Sequence, residues 1–547
     1  MENKFLAYIT DLFSSRKPEP VQPEPVQTPK ADFLTSGDST PLFAFSYNGE
    51  KNLGELGPII HYTPDYVGLR ARSWQSYIES EITQTTINRF LTWVIGKGLK
   101  LQAEPLEALL KTEGVQLKTQ EFSEPVEARF AAFRKSIKSS YSGMENLDKT
   151  AFNAYKNAII GGDVLVIIRY DKKTGTTIQL KDGSHVQSPI YGSEYYPAEL
   201  KNGNTLKNGI EIDARGQHVR YYIRTRSGKF ETVEARSQQT GLQIAFLVYG
   251  LEYRMDNVRG LPLISTVLET LKKLERYKEA TVGSAEERQK IAFSIEHENY
   301  STGENPFAKQ LANSLNVSEQ ADLPKDINGT DLSNLVAATT NKQAVNLPIG
   351  GKLKMHEGKA EIHFRDFYSV NIELICAALG IPPEVAMMKY DSNFSASRAA
   401  LKDWENSLNV AREKFAQSFY QPIYNFWLDI QILENKINAP GYLKARMEEN
   451  DMVISAYQNA RFIGAQVPHI DPLKEVNAER AKLGEAAKHI PLTTVEQATE
   501  VLNGGDSDEN IKQFGEELSL AKTSGIEPSQ QVQQMQPNKE NKDDKED

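Results

Sequence analysis

The sequence predicts a helix-rich α+β protein, and three features carry that expectation. Apolar residues recur at three and four spacing on either side of a central block. That block, roughly residues 163 to 249, consists of short β-branched and aromatic runs divided by turn signals. Beyond residue 397 the three-four spacing continues for almost forty positions.

Taken in order, "PEPVQPEPVQTPK" near the start is a five-residue proline repeat. It has too little apolar surface for a core and predicts an extended, flexible arm over residues 1–48. Within that arm Phe5, Leu6, Ile9, Leu12 and Phe13 would share one helical face. The folded part begins near residue 50. "SWQSYIESEITQTTINRFLTWVIGKG" reads as one helix stopped by the glycines of "GKG", and "LDKTAFNAYKNAIIGGD" as a second that ends in the same way. "DVLVIIRY", "TTIQLK", "VRYYIRTR", "KFETVEA" and "LQIAFLVY" read as strands. The tight turns "DKKTG", "KDGS" and "RSGK" between them predict antiparallel pairing.

At "RGLPLISTVLETLKKLERYKEATVGSAEERQKIAFSIE" the helical pattern returns, with Pro262 suited to a first turn. Residues 299–364 form a more polar unit: a helix near "NPFAKQLANSL", a long loop over 318–343, and a hairpin in "AVNLPIGGKLKMHEGKAEIHF". "DFYSVNIELICAALG" is the next helix, ended by Gly380 and the Pro382–Pro383 pair. After the short polar loop "KYDSNFS" comes a rod spanning 397–434, in which Pro422 removes one hydrogen bond and should bend the axis. Residues 441–502 read as helical, with Asp471 as a cap before Pro472 and a capping box of Thr493 with Glu496. The final "QQVQQMQPNKENKDDKED" has no core-forming residues and predicts a flexible tail.

Composition narrows the function classes. A chain of 547 residues implies two to four domains or sub-domains, and its 45 phenylalanines and tyrosines supply apolar area for cores despite a mean hydropathy of −0.50. A net charge of −10 argues against a general nucleic-acid coat, which would be basic. The single Cys376 precludes an intrachain disulfide and, within an apolar helical run, reads as a buried inert thiol. No run is long and apolar enough to predict a membrane span, and "MENKFLAYITDLF" lacks the cleavage pattern of a secretion signal.

Catalytic patterns are missing. "WVIGKGLK" and "PIGGKLK" lack the spacing of a phosphate-binding P-loop, "HEGKAEIH" lacks the spacing of a zinc-protease helix, and no G-x-S-x-G occurs. The expectation is a protein that acts through surfaces, with no enzyme activity, cofactor or metal. The rival reading, an enzyme, would need such motifs.

Five segments then take on meaning together: "GLRARSWQSYIESEITQTTINRFLTWVIGKGLKLQ", "YKNAIIGGDVLVIIRY", "NVRGLPLISTVLETLKKLERYKEA", "LGIPPEVAMMKYDSNFSASRAALKDWENSLNVAREKF" and "QVPHIDPLKEVNAE". In this order, over roughly 50–490, the chain resembles the lambda-type portal proteins of tailed bacteriophages. The fourth segment is the most specific, joining a proline pair, a short aromatic-polar loop, "SASRAAL" and a tryptophan-bearing helix.

The resemblance implies a homo-oligomeric ring, a dodecamer, at one capsid vertex, in the virion and assembled in the host cytoplasm. Double-stranded DNA would pass through it. The terminase large subunit, major capsid or scaffolding protein and head-tail connector proteins would be its partners, with no membrane. It also implies a division into wing (49–258), stem helix (259–292), clip (293–365), second stem helix (366–387), tunnel loop (388–396), long kinked wing helix (397–438), crown (439–503) and flexible tail (504–547). The DNA-facing loop residues would be Lys389, Tyr390, Asp391, Ser392, Asn393 and Phe394. Lys389 and Asp391 nearly cancel in charge, which suits brief contacts with a moving polyanion. An ordinary loop capped by Ser395 or Ser397 is the alternative. Arg70, Arg72, Trp74 and Trp404 are candidates for subunit contacts, and Lys272, Lys273 and Lys278 for the stem channel. The proline-repeat arm and the 318–343 loop match nothing in the family pattern.

Overall fold

The computed structural model describes residues 64–190, 193, 203–252, 255, 257–290, 294–297, 351–354, 364–389, 394–464, 472–484, 491–503, 505 and 507–524. The chain divides into two units, Met1–Pro64 and Asp65–Asp547, and the elements below belong to the second. The expected arm, the helix at "NPFAKQLANSL", the 318–343 loop, the Asp471 cap and the tail beyond 524 lie outside the described residues.

The first expected helix is two helices, α1 (Tyr66–Glu79) and α2 (Glu81–Phe90), followed by a π turn over Leu91–Ile95. Asp65 caps α1 by accepting a 2.9 Å bond from the Gly68 amide. The break falls at Ser80, which is extended and buried, and whose hydroxyl donates to Glu275 at 2.9 Å. A contact almost two hundred residues away thus interrupts a pattern that is locally helical. Next come β1 (Lys100–Ala103), α3 (Glu107–Thr112), α4 (Thr119–Lys135) and α5 (Leu147–Gly161). Asn146 caps α5 by accepting from Lys149 N–H, and Gly162, at φ +96°, ends it.

The strand block forms two antiparallel sheets. In the first, β2 (Asp163–Asp171) lies between β3 (Gly175–Asp182) and β8 (Ala245–Tyr249), with Ile168 opposite Ile178 and Leu165 opposite Leu247. The second runs β4 (Thr205–Lys207), β5 (Ile210–Ile212), β6 (His218–Arg224), β7 (Phe230–Glu234). Leu165, Ile167 and Leu247 of one sheet share a buried core with Ile210, Tyr221 and Ile223 of the other. Helix α5 packs on β2.

Pro262 precedes a 3₁₀ turn, Leu263–Thr266, and then α6 (Leu268–Lys290). The expected helix does not continue through "FSIE": Ser294–His297 is strand β9, antiparallel to β10 (Gly351–Lys354). Within the anticipated hairpin, Gly351–Lys354 therefore pairs with a segment some fifty residues earlier, and residues 344–350 and 355–363 lie outside the described residues. Helix α7 (Phe364–Leu379) packs along α6 and is followed by the short α8 (Pro383–Met387).

The long rod is α9 (Phe394–Phe415), a π turn over Ala416–Tyr420, and α10 (Gln421–Leu433). Pro422 cannot donate to the ladder, and the helix widens into the π turn immediately before it. The rod buries Trp404, Leu408, Phe415, Phe419, Ile423, Phe426 and Trp427.

Residues 439–463, the first part of the expected crown, pair with the start of the folded chain. They form α11 (Tyr442–Met447), α12 (Asp451–Gln458) and strand β11 (Ala460–Ile463), which pairs antiparallel with β1. Three further helices follow, α13 (Pro472–Lys482), α14 (Val495–Asn503) and α15 (Ser507–Thr523). Thr494 rather than Thr493 caps α14, its hydroxyl accepting from Gln497 N–H at 3.2 Å, while Glu496 is engaged with Arg461 and Gln102. Helix α15 falls within the segment 504–547 expected as a tail, and its Lys512 pairs with Glu124 and its Glu509 with Lys100.

Candidate functional site

Helix α1, the α5–β2 corner and the approach to α6 meet at a buried charge cluster. Asp163, the first residue of β2, is completely buried. Arg259 grips it with two bonds, Nε to Oδ2 at 2.6 Å and Nη2 to Oδ1 at 2.7 Å, and Arg70 of α1 adds Nη2 to Oδ1 at 2.6 Å. Gly260 N–H donates to the same carboxylate at 3.2 Å. The remaining guanidinium donors reach backbone carbonyls. Arg259 binds those of Gly183, Val186 and Asn208, and Arg70 binds that of Gly161. Burial alone would push the Asp163 carboxyl up, but the two arginines and the Gly260 amide hold it below the usual carboxylate range. Glycine is required beside it. A Cβ on Gly183 would stand 1.8 Å from Asp163 Oδ1, and one on Gly260 would stand 2.1 Å from the Gly162 carbonyl oxygen. The cluster therefore ties α1, the α5–β2 corner and the approach to α6 to one carboxylate.

A second arginine fixes the rod. Arg412 of α9 is buried and donates to the carbonyls of Trp93 (2.8 Å) and Val94 (3.3 Å), both in the π turn that ends α2. Those carbonyls are among the unsatisfied acceptors at a helix C-terminus, where a cation is favourable. Trp404 meets Trp93 edge to face at 6.2 Å between ring centroids.

The loop expected to face DNA rises from this frame. Val385 and Ala386 bury α8, which packs against α2 and α7. Met388 takes the left-handed conformation (φ +54°), and Lys389 N–H donates to the Glu384 carbonyl at 3.0 Å, closing the helix end. Met387, Met388 and Lys389 are exposed. Tyr390, Asp391, Ser392 and Asn393 lie outside the described residues, and Phe394 opens α9. The loop thus joins a short buried helix to the start of the rod.

Helix α7 is apolar on two sides. Ile372, Ile375, Cys376 and Leu379 are buried, while Phe367, Val370 and Leu374 remain 43%, 53% and 60% exposed. Burial raises the Cys376 thiol to about 11, as suits an inert core residue. Tyr277 of α6 lies against Phe364 and Phe367, at 5.6 and 4.5 Å between centroids.

The family model for lambda family phage portal proteins matches residues 60–411, about two thirds of the chain. The chain belongs to the lambda family of phage portal proteins. The match covers the Asp163 cluster, the α6–α7 pair, the loop and α9 up to the residue before Arg412. This portal protein thus has the family's ring-forming, structural role at the phage capsid. No match is found among curated proteins. Among solved structures, the neck of a native gene transfer agent particle is 10% identical, with a TM-score of 0.40, over 80% of this chain and 93% of that one. An HK97 family phage portal protein from Corynebacterium diphtheriae is 10% identical, with a TM-score of 0.30, over 61% of this chain and 85% of that one.

The structure distributes the expected contact residues unevenly. Arg70 and Trp404 are internal, one bound to Asp163 and the other packed on Trp93, so neither side chain is offered to a neighbour. Arg72 is exposed and Trp74 half-buried. Lys272 and Lys273 are exposed on α6, whereas Lys278 pairs with Glu81 of α2 at 2.8 Å. Asp163, Arg259 and Arg412 were not singled out from sequence. Asp163 and Arg259 leave one local trace, the glycine beside each in "GGD" and "VRG", as a close backbone approach requires, and Arg412 in "NVAREKF" leaves none.

Proposed function

We propose that copies of this portal protein, twelve as the family pattern implies, close into a ring whose channel carries double-stranded DNA during packaging and ejection. The match over residues 60–411 carries this reading. The exposed Phe367–Val370–Leu374 stripe supports it, because a helix apolar on two faces is suited to lie between subunits. In this reading α1 to β8 with α9 and α10 form the wing, α6 and α7 the stem, and β9 with β10 the root of the clip. The clip would receive the terminase large subunit during packaging and connector proteins afterwards. Capsid or scaffolding protein would surround the wing, and assembly would occur in the host cytoplasm. Lys272 and Lys273 are candidates for the channel wall, and Lys389–Phe394 for the loop touching DNA.

Negative-stain microscopy of the purified chain tests the ring: annular particles with a hole wide enough for a duplex are expected, and a sample that stays monomeric would end the reading. The loop has its own test. Replacing Tyr390–Asn393 with glycine and serine should leave rings intact while DNA packaging or retention in particles falls. Unchanged packaging and retention would remove the loop from the DNA path.

A further inference from the structure

Helices α6 and α7 form a two-helix layer with unlike edges. Strands β9 and β10 pair where α6 ends and α7 begins, so the two helices run in opposite senses. They face each other through Tyr277, whose ring meets those of Phe364 and Phe367. At 100° per residue, Lys272 and Arg276 of α6 lie roughly 100–140° round from Tyr277. On α7, Asp366 and Glu373 lie roughly 100–180° round from Phe364 and Phe367. All four of these charged side chains are exposed. Each pair therefore stands on the side of the layer away from the other helix, cations on one edge and carboxylates on the other.

Charge decides which edges can meet. Two α7 edges together would set Asp366 and Glu373 of one copy against the same carboxylates of another, and two α6 edges would do the same with cations. Both contacts are repulsive, whereas an α6 edge against an α7 edge brings opposite charges together. That contact is heterologous: each copy offers a different edge to each neighbour, so the contact repeats in one direction and can close into a ring. Rotation about a ring axis moves no residue along that axis, so residues that meet must stand at similar heights. Counted in opposite senses from the Tyr277 contact, the midpoint of Lys272 and Arg276 and the midpoint of Asp366 and Glu373 fall within about one helical turn of each other. Glu269 and Glu279 bracket the cations on the same edge of α6, so a slip along the axis would set carboxylate against carboxylate.

We propose that the α6 edge of each copy packs on the α7 edge of the next, with Arg276 paired to Asp366 and Lys272 to Glu373 across the boundary. Val370, which stands between the two carboxylates and is 53% exposed, is covered by the aliphatic stems of Lys272 and Arg276. The proposal rests on the ring reading and names the two surfaces that close the ring. It puts Lys272 in the boundary between copies and leaves Lys273, roughly 100° round the helix, for the channel wall.

The test uses the full-length protein, with ring dissociation followed by analytical ultracentrifugation and native mass spectrometry over a dilution series. Arg276→Glu and Asp366→Arg should each raise the concentration at which half the rings dissociate by roughly threefold to tenfold. Combining them should return it to within about twofold of wild type. Lys273→Glu makes the same charge change as Arg276→Glu away from the edge and should leave the dissociation point where it is. The substituted positions are all exposed, so circular dichroism should match wild type. Intact rings with an unchanged dissociation point in both single variants would overturn the edge pairing and leave the ring reading standing. An equal loss in Lys273→Glu would also overturn it, because net charge alone would then explain the effect. Failure of the combined variant to recover would overturn the Arg276–Asp366 pair. A wild-type chain that never forms rings would remove the ring reading, and this proposal with it.

Discussion

The Asp163 cluster and the Arg461 cluster use the same chemistry in opposite surroundings. At the first, side chains no more than 9% exposed bring three chain segments to one carboxylate. At the second, Arg461 of β11 is 41% exposed and reaches Glu104 at 3.2 Å, Glu496 at 3.9 Å and Glu500 of α14. Water screens the second set and is excluded from the first. Buried charges are costly to desolvate and very costly to leave unpaired, so they suit a joint that must keep one geometry. Exposed pairs stabilise little, and they suit an element held lightly until something else secures it. The body and its joint to α6 are built in the first manner, and α13 to α15 in the second. Among the described residues of 472–523, Ala498 is the only buried hydrophobic side chain.

The comparison is tested most severely at Asp163. Asp163→Asn removes the charge while leaving both guanidinium groups buried, and Arg259→Met strands the carboxylate in the opposite way. Each should destabilise the chain by about 3–5 kcal/mol in urea unfolding. A loss below about 1 kcal/mol in both would show that the cluster is no stronger than the surface set.

Acid provides a smaller version of the same experiment. The Asp163 carboxyl is held below its ordinary value in the folded chain, so its contribution is fully present above the unfolded-state value of about 3.9. That contribution is lost as pH falls through the depressed folded-state value. Unfolding followed from pH 7 downward should show the Asp163 share of stability constant to about pH 5 and lost only below about pH 4. In Asp163→Asn that acid limb should shrink. An identical acid limb in the variant would assign acid sensitivity to other carboxylates.

Much of the body was legible because its signals are local. The long strands β2, β3, β6, β7 and β8 coincide with β-branched and aromatic runs, and α5 with a capped and glycine-terminated pattern. What was missed depends on distant partners. Strand β11 spans four residues and exists by pairing with β1, more than 350 positions away, so nothing near it distinguishes it from the helices around it. The α1–α2 break at Ser80 follows from Glu275, and the Asp163 cluster from Arg70 and Arg259, which lie 93 and 96 residues to either side. In the loop expected to face DNA only Lys389 and the backbone of Phe394 are described, so the sequence pattern is the source for Tyr390–Asn393. Pro422 led to the expectation of a bend in the rod, whereas the π turn over Ala416–Tyr420 that precedes it, with Phe419 and Tyr420 buried, carries no comparable local signal.

The smallest effect is expected at Arg461. Arg461→Gln removes the cation shared by Glu104, Glu496 and Glu500, yet all four side chains keep access to water. Global stability should therefore fall by no more than about 1 kcal/mol. The local consequence should be larger than the global one, because few apolar contacts remain to hold α14. Hydrogen exchange in α14 and α15 should accelerate in the dissociated variant, and in dissociated wild type as salt is raised, while exchange in β2 and β8 stays unchanged. If β2 and β8 loosened together with α14, the lightly held helices and the locked joint would be one cooperative unit, and the distinction between them would fail.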